Sequence, residues 1–182
     1  NMKVWWVGLL CLLSASAWAE PSGIASRAWV LIDQASGHEL AAHQADLPLA
    51  PASLTQLMTA YVLLGDIHKN KLSLGEQASV PQAATEVDGA RVFLKAGEQI
   101  SVDTLFQAML VQSAGDAVLT LVTATDGSEA AFVARMNREA KRLGMNKTRF
   151  MNATGLTMPG HESSARDLAL LARALVRDFP ER

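Results

Sequence analysis

The sequence predicts an α+β fold in which a small antiparallel sheet comes first and a lobe of consecutive helices follows. Residues 28–33 and 38–44 are two β-rich runs separated by turn residues, with Gly37 at the position that needs a positive φ. Several stretches with helical spacing of apolar residues come after this hairpin. Because a two-stranded hairpin is only marginally stable by itself, we expect the strands either to pair with something absent from this chain, which leaves the sheet incomplete here, or to lie as a small sheet against the helices.

The helices are delimited by their caps and by their apolar faces. A helix starts after Ser53 and ends between residues 65 and 71, and its broad apolar face is typical of a core helix. Ser101, Ser128 and either Ser163 or Ser164 are predicted N-caps. We therefore expect further helices at residues 102–112, 116–125, 129–143 and 165–178, and short extended pieces at 79–81 and 91–94.

The first nineteen residues have the organisation of a secretory signal peptide. Lys3 supplies the positive start, residues 4–13 are apolar, and Ala17-Trp-Ala19 is a small-x-small cleavage site before Glu20. The apolar run is too short for a membrane-spanning helix, which needs about 20 residues. The predicted organisation is a signal peptide at 1–19, a mature chain at 20–182, and export to the bacterial periplasm.

The composition of the mature chain excludes several classes of protein. Cleavage removes Lys3 and Cys11, which leaves 15 basic residues against 18 acidic ones, a net charge of −3, and no cysteine. A mildly acidic chain without a basic cluster argues against nucleic acid as a partner. A disulfide-stapled fold is excluded, and no remaining stretch predicts a membrane anchor.

The stretch Pro51-Ala-Ser53-Leu-Thr-Gln56 allows two interpretations. A serine at the first turn of a helix is a candidate nucleophile, but it needs a neighbouring base, and glutamine is not one near neutral pH. A serine followed three residues later by glutamine also fits a capping box. From these four residues alone, the cap is the favoured interpretation.

The histidines do not indicate a metal site. No pair of them has the spacing of metal ligands, and we expect each to be solvated. The sequence therefore predicts no metal ion and no cofactor. The four residues are His38, His43, His68 and His161.

Several motifs in order carry a more specific signal. The stretch from Pro51 to Gln56 closely resembles the first active-site motif of low-molecular-mass penicillin-binding proteins, the serine-type D-alanyl-D-alanine carboxypeptidases of the peptidase S11 family. The resemblance covers residues 28–178. Further matches, at similar spacing, are Val30-Leu-Ile-Asp-Gln-Ala-Ser-Gly37, Phe93-Leu-Lys-Ala-Gly97, Leu110-Val-Gln-Ser113-Ala-Gly-Asp116 and Ser163-Ser-Ala-Arg166-Asp167.

The resemblance implies a fold, a reaction and a set of site residues. The fold is that of β-lactamases and penicillin-binding proteins, a helical lobe packed against an antiparallel sheet. Ser53 falls on the nucleophile, Gln56 on the lysine base, and Ser113 on the serine of Ser-x-Asn, whose asparagine position is Gly115. The implied partners are peptidoglycan stem peptides ending in D-Ala-D-Ala and β-lactam antibiotics.

The departures from the family pattern predict weak or absent turnover. Gln56 replaces the base, Gly115 replaces an amide that would orient substrate, and the 182 residues contain no Lys-Thr-Gly. The nearest string is Lys147-Thr-Arg149. We therefore expect this chain to be the N-terminal part of the family domain, either as a truncated member or as part of a longer protein. Loss of a positioned base costs about 10²- to 10⁴-fold in rate.

Two other functions stay open. One is a non-catalytic module that binds peptidoglycan or a protein partner in the same cleft. The other is a relative of the β-lactamases, which share the arrangement of the nucleophile. Binding of muropeptides without release of D-alanine would favour the non-catalytic module. Measurable hydrolysis of an antibiotic would favour the β-lactamase relative.

Overall fold

The computed structural model describes residues 23–181. The predicted signal peptide therefore lies outside the described residues. The described part of the chain begins with an antiparallel hairpin of β1 (Trp29–Ile32) and β2 (Glu39–His43), as predicted, and its register is irregular between Leu31 and Ile32. A second two-stranded sheet pairs β3 (Gln77–Ser79) with β4 (Gln99–Ser101). The sequence did not reveal β4.

Six helices make up the rest of the described fold. The predicted caps are confirmed, since the side chains of Ser101, Ser128 and Ser164 accept hydrogen bonds from backbone amides in the first turns of α3, α5 and α6. The helices are α1 (Thr55–His68), α2 (Gln82–Thr85), α3 (Val102–Gln112), α4 (Gly115–Asp126), α5 (Glu129–Arg142) and α6 (Ala165–Asp178).

The core is built mainly from α1, α3, α4 and α5. Helix α1 packs against α3, α5 and α6, and α4 packs against α2, α3, α5 and β3. Met58, Leu63, Val118, Leu121 and Phe132 are completely buried there. Within residues 23–181 no single helix is long and apolar enough to cross a membrane, and α4 and α5 reach that length and composition only as a pair bent by 86°.

The β1–β2 hairpin is fastened to α6. Arg173 donates hydrogen bonds to the carbonyls of Gln34 and Ala35 at 2.9 and 3.0 Å. Gly37 has φ +76°, as predicted, and a Cβ there would lie 2.7 Å from the Arg173 guanidinium. Arg166 on the same helix forms ion pairs with Glu39 and Asp46. These contacts hold the hairpin against the helical lobe.

Residues 91–94 are not the extended piece that the sequence predicts. Phe93 has a left-handed backbone with φ +59°. The carboxylate of Asp116, buried at the start of α4, accepts the amides of Val92 and Leu94 at 3.2 and 3.0 Å. Tertiary hydrogen bonds therefore override the local β propensity of this segment.

Candidate active site

Ser53 lies in a tight turn that leads into α1. A 3₁₀ turn at Ala52–Leu54 starts from Pro51, and Ala52 has a left-handed backbone with φ +49°. Ser53 itself is exposed. Neither the 3₁₀ turn nor α1 has a side-chain cap, because the cap residues are Pro51 and Leu54. The capping-box interpretation of Ser53 is therefore wrong.

Gln56 points away from its own helix terminus and joins three segments of the site. Its Nε2 donates to Ser113 Oγ at 3.0 Å and to the Thr154 carbonyl at 2.9 Å. Only 5% of Gln56 is exposed. Because a carbonyl can only accept, the amide nitrogen must face Thr154. Both N–H groups of the Gln56 amide therefore donate to neighbouring segments, and none is left for a capping box.

Ser113 and Gly115 lie at the junction of α3 and α4. Ser113 ends α3 in a left-handed conformation with φ +54°, which turns its hydroxyl towards Gln56. Gly115 is buried, and its amide donates to the Ala90 carbonyl at 2.8 Å. A Cβ at Gly115 would lie 3.3 Å from both methyl groups of Val87. A larger residue there would need Val87 to move.

Gly155 packs directly against the turn that contains Ser53. The sequence did not identify Gly155 as a site residue. Its φ is +92°, and an added Cβ would lie 2.2 Å from the Ala52 carbonyl oxygen and 3.0 Å from Ser53 N. The Asn152 side chain accepts the Gly155 amide at 2.8 Å. The Asn152-x-x-Gly155 spacing is the sequence signal of this turn.

His161 is buried, whereas the sequence predicted a solvated side chain. Met151 N donates to Nδ1 at 2.9 Å, so the proton is on Nε2, which donates to Thr55 Oγ1 at 2.8 Å. Burial lowers the pKa of His161 below its ordinary value. An imidazole whose Nε2 is the donor cannot deprotonate Thr55, so the pair is not a nucleophile and its base. It joins the 151–161 loop to α1.

The string Lys147-Thr-Arg149 has a structural role. The carboxylate of Asp167 accepts Lys147 N at 2.8 Å and Thr148 Oγ1 at 2.7 Å, and Thr148 also bonds Ser163. These contacts organise the start of α6. Among residues 23–181 no group of three or more His, Cys, Asp or Glu side chains could hold a metal ion.

Similar proteins were found by sequence and by structure. The chain is 40% identical over 174 residues to the D-alanyl-D-alanine carboxypeptidase DacC of Escherichia coli, with 92% of this chain and 44% of that protein covered. The structure of DacD from Francisella tularensis has a TM-score of 0.85 and 36% identity, with 87% of this chain and 38% of that chain covered. Penicillin-binding protein D2 from Listeria monocytogenes, solved with ampicillin bound, has a TM-score of 0.75 and 35% identity, covering 86% and 63%.

These comparisons bear out the α+β fold of penicillin-binding proteins that the motifs implied. The chain spans less than half the length of the curated relative it matches. The family model described as D-alanyl-D-alanine carboxypeptidase matches residues 15–182. This chain belongs to the peptidase S11 family of D-alanyl-D-alanine carboxypeptidases.

Proposed function

We propose that this chain is the nucleophile-bearing part of a periplasmic D-alanyl-D-alanine carboxypeptidase with impaired turnover. In this proposal residues 1–19 are removed on export and Ser53 is the oxygen that becomes acylated. The substrate is a peptidoglycan stem peptide ending in D-Ala-D-Ala, and β-lactams bind at the same site. The observation that carries the proposal is the pair of hydrogen bonds from Gln56 to Ser113 and Thr154.

Those two hydrogen bonds support a site whose segments are still held together but which has no base to activate Ser53. The Gln56 amide links α1, the α3–α4 junction and the 152–155 loop, and in this proposal these links keep the segments around Ser53 together. An amide is neutral and does not take up a proton near neutral pH, unlike a lysine amine whose pKa is lowered by burial. In this proposal the site can therefore still bind a ligand, although it cannot activate Ser53 efficiently.

The steps of the reaction indicate which of them the loss of a base would slow. Ser53 Oγ attacks the carbonyl of the penultimate D-alanine, its proton must leave, and the C–N bond breaks as the terminal D-alanine departs with a proton on its amine. Water then hydrolyses the ester. Both proton transfers need a positioned acid–base group, and its loss slows turnover by about 10²- to 10⁴-fold.

A non-catalytic peptidoglycan-binding module is the second candidate. Gln56 favours it as well, because a buried amide nitrogen that donates to two neighbouring segments stabilises the site whether or not Ser53 reacts. The two candidates differ only in whether any D-alanine is released. The β-lactamase alternative has less support, since the similar proteins named above are carboxypeptidases and a penicillin-binding protein.

The test is titration of the exported chain with a stem pentapeptide ending in D-Ala-D-Ala, with release of D-alanine measured in parallel. We expect saturable binding that ampicillin competes for, and slow release that Ser53→Ala abolishes. Binding without any release that depends on Ser53 would favour the binding module. Absence of binding would refute both candidates, and hydrolysis of ampicillin would favour the β-lactamase.

A further inference from the structure

We infer that Arg91 forms a subsite, at the rim of the Ser53 cleft, for a carboxylate on the acyl side of the ligand. This inference rests on the proposed function, because it names a ligand group for the same cleft. The sequence had predicted only an extended piece at residues 91–94. It follows from three features of the structure: the position of residues 89–91, the way in which Arg91 is held, and its lack of an acidic partner.

Residues 89–91 lie beside the site. The Ala90 carbonyl accepts the Gly115 amide at 2.8 Å, two residues from Ser113. A Cβ on Gly89 would lie 3.5 Å from Leu156 Cδ2, so this segment approaches the loop that supports the Ser53 turn. Leu156 follows directly after Gly155. The segment that carries Arg91 therefore borders both the Ser113–Gly115 junction and the loop after Gly155.

The guanidinium of Arg91 is held in place before any ligand binds. Its Nη1 donates to the Thr85 carbonyl at 2.9 Å, and its Cζ lies 5.2 Å from the centroid of the Phe93 ring. Phe93 is 76% exposed, and the amides of the residues before and after it donate to the Asp116 carboxylate. A pre-organised arginine fork loses less side-chain entropy when it binds a carboxylate.

Arg91 has no carboxylate of residues 23–181 within ion-pair distance. Glu86 and Asp88 lie on the same segment, yet neither forms a salt bridge with it. Several other arginines are paired in this way, namely Arg135, Arg142, Arg166 and Arg177. The remaining N–H groups of Arg91 are therefore suited to an external anion, most strongly to a planar carboxylate.

The place of the subsite decides which carboxylate of the ligand it binds. The terminal carboxylate belongs to the residue that leaves, so it must lie within one residue of the carbonyl that Ser53 attacks. Arg91 instead follows Ala90, whose carbonyl accepts the Gly115 amide, so it lies farther from Ser53 than the Ser113–Gly115 junction does in the order of these contacts. It is suited to a side-chain carboxylate on the residue that precedes the two D-alanines.

The experiment compares two stem pentapeptides that differ only in that side-chain carboxylate, free in one and amidated in the other. Equilibrium binding is measured at low salt for the wild-type chain, for Arg91→Gln, and for Arg138→Gln as a control, since Arg138 is an exposed residue of α5. We expect the wild type and the control to bind the free carboxylate about three- to tenfold more tightly. Arg91→Gln should bind the two peptides equally.

The outcomes separate this inference from the proposed function. If the wild type binds both peptides with the same affinity, or if Arg91→Gln keeps the difference, the subsite is refuted while the proposed function stands. If neither peptide binds to the wild type, both are refuted. If Arg138→Gln loses the difference as well, the effect is one of overall charge, and the subsite is refuted.

Discussion

Replacing Gly155 with alanine should displace the turn that presents Ser53 and destabilise the fold. The added Cβ would lie 2.2 Å from the carbonyl oxygen and 2.6 Å from the carbonyl carbon of Ala52, and both are backbone atoms that cannot rotate away. The left-handed φ of +92° adds about 1–2 kcal/mol for a residue with a side chain. Forcing atoms into a packed site costs roughly 1–3 kcal/mol more. The free energy of unfolding should fall by about 2–5 kcal/mol.

Gly127→Ala is the matched control for this change. Gly127 also has a positive φ, +76°, but nothing lies within 4 Å of an added Cβ. It should therefore lose only the conformational part, about 1–2 kcal/mol. Urea unfolding of the wild type and the two variants gives both differences. Equal losses for Gly155→Ala and Gly127→Ala would refute the argument that the Ser53 turn rests against Gly155.

Two further predictions concern buried polar groups. Gln56→Leu should lower the free energy of unfolding by about 1–3 kcal/mol, because it leaves the Thr154 carbonyl without its donor. Gln82→Leu, at an exposed residue of α2, should change it by less than about 0.5 kcal/mol. Similar losses in urea unfolding would contradict this prediction. For His161, whose pKa is lowered by burial, the unfolded chain binds more protons than the folded one between the lowered value and about 6.5. The free energy of unfolding should therefore fall as the pH decreases below about 6.5, and His161→Gln should remove that contribution; identical pH profiles for the two proteins would contradict it.

The sequence predicted those features that depend on local structure. The hairpin, its Gly37 turn and the three serine caps each follow from residues that are close together in the chain. The ordered motifs predicted the family, since such a set rarely recurs by chance. The hairpin, its turn and the caps could be predicted because the interactions involved span only a few residues.

The orientation of the site side chains could not be predicted in the same way. The partners of Gln56 are 57 and 98 residues away, and Thr55, which bonds Nε2 of His161, is 106 residues away from it. A capping box and a solvated histidine were reasonable local interpretations, but tertiary hydrogen bonds determined both outcomes. The same holds for Phe93, whose left-handed backbone depends on the distant carboxylate of Asp116.

The central claim is that Gln56 preserves the geometry of the cleft but not the activation of Ser53. The most direct measurement is the rate at which a labelled penicillin adds to the protein, followed by mass spectrometry for the wild type, Gln56→Lys and Ser53→Ala. We expect addition to the wild type to be about 10²- to 10⁴-fold slower than addition to Gln56→Lys, and absent in Ser53→Ala. A stoichiometric adduct on Ser53 of the wild type, formed as fast as in Gln56→Lys, would contradict the claim.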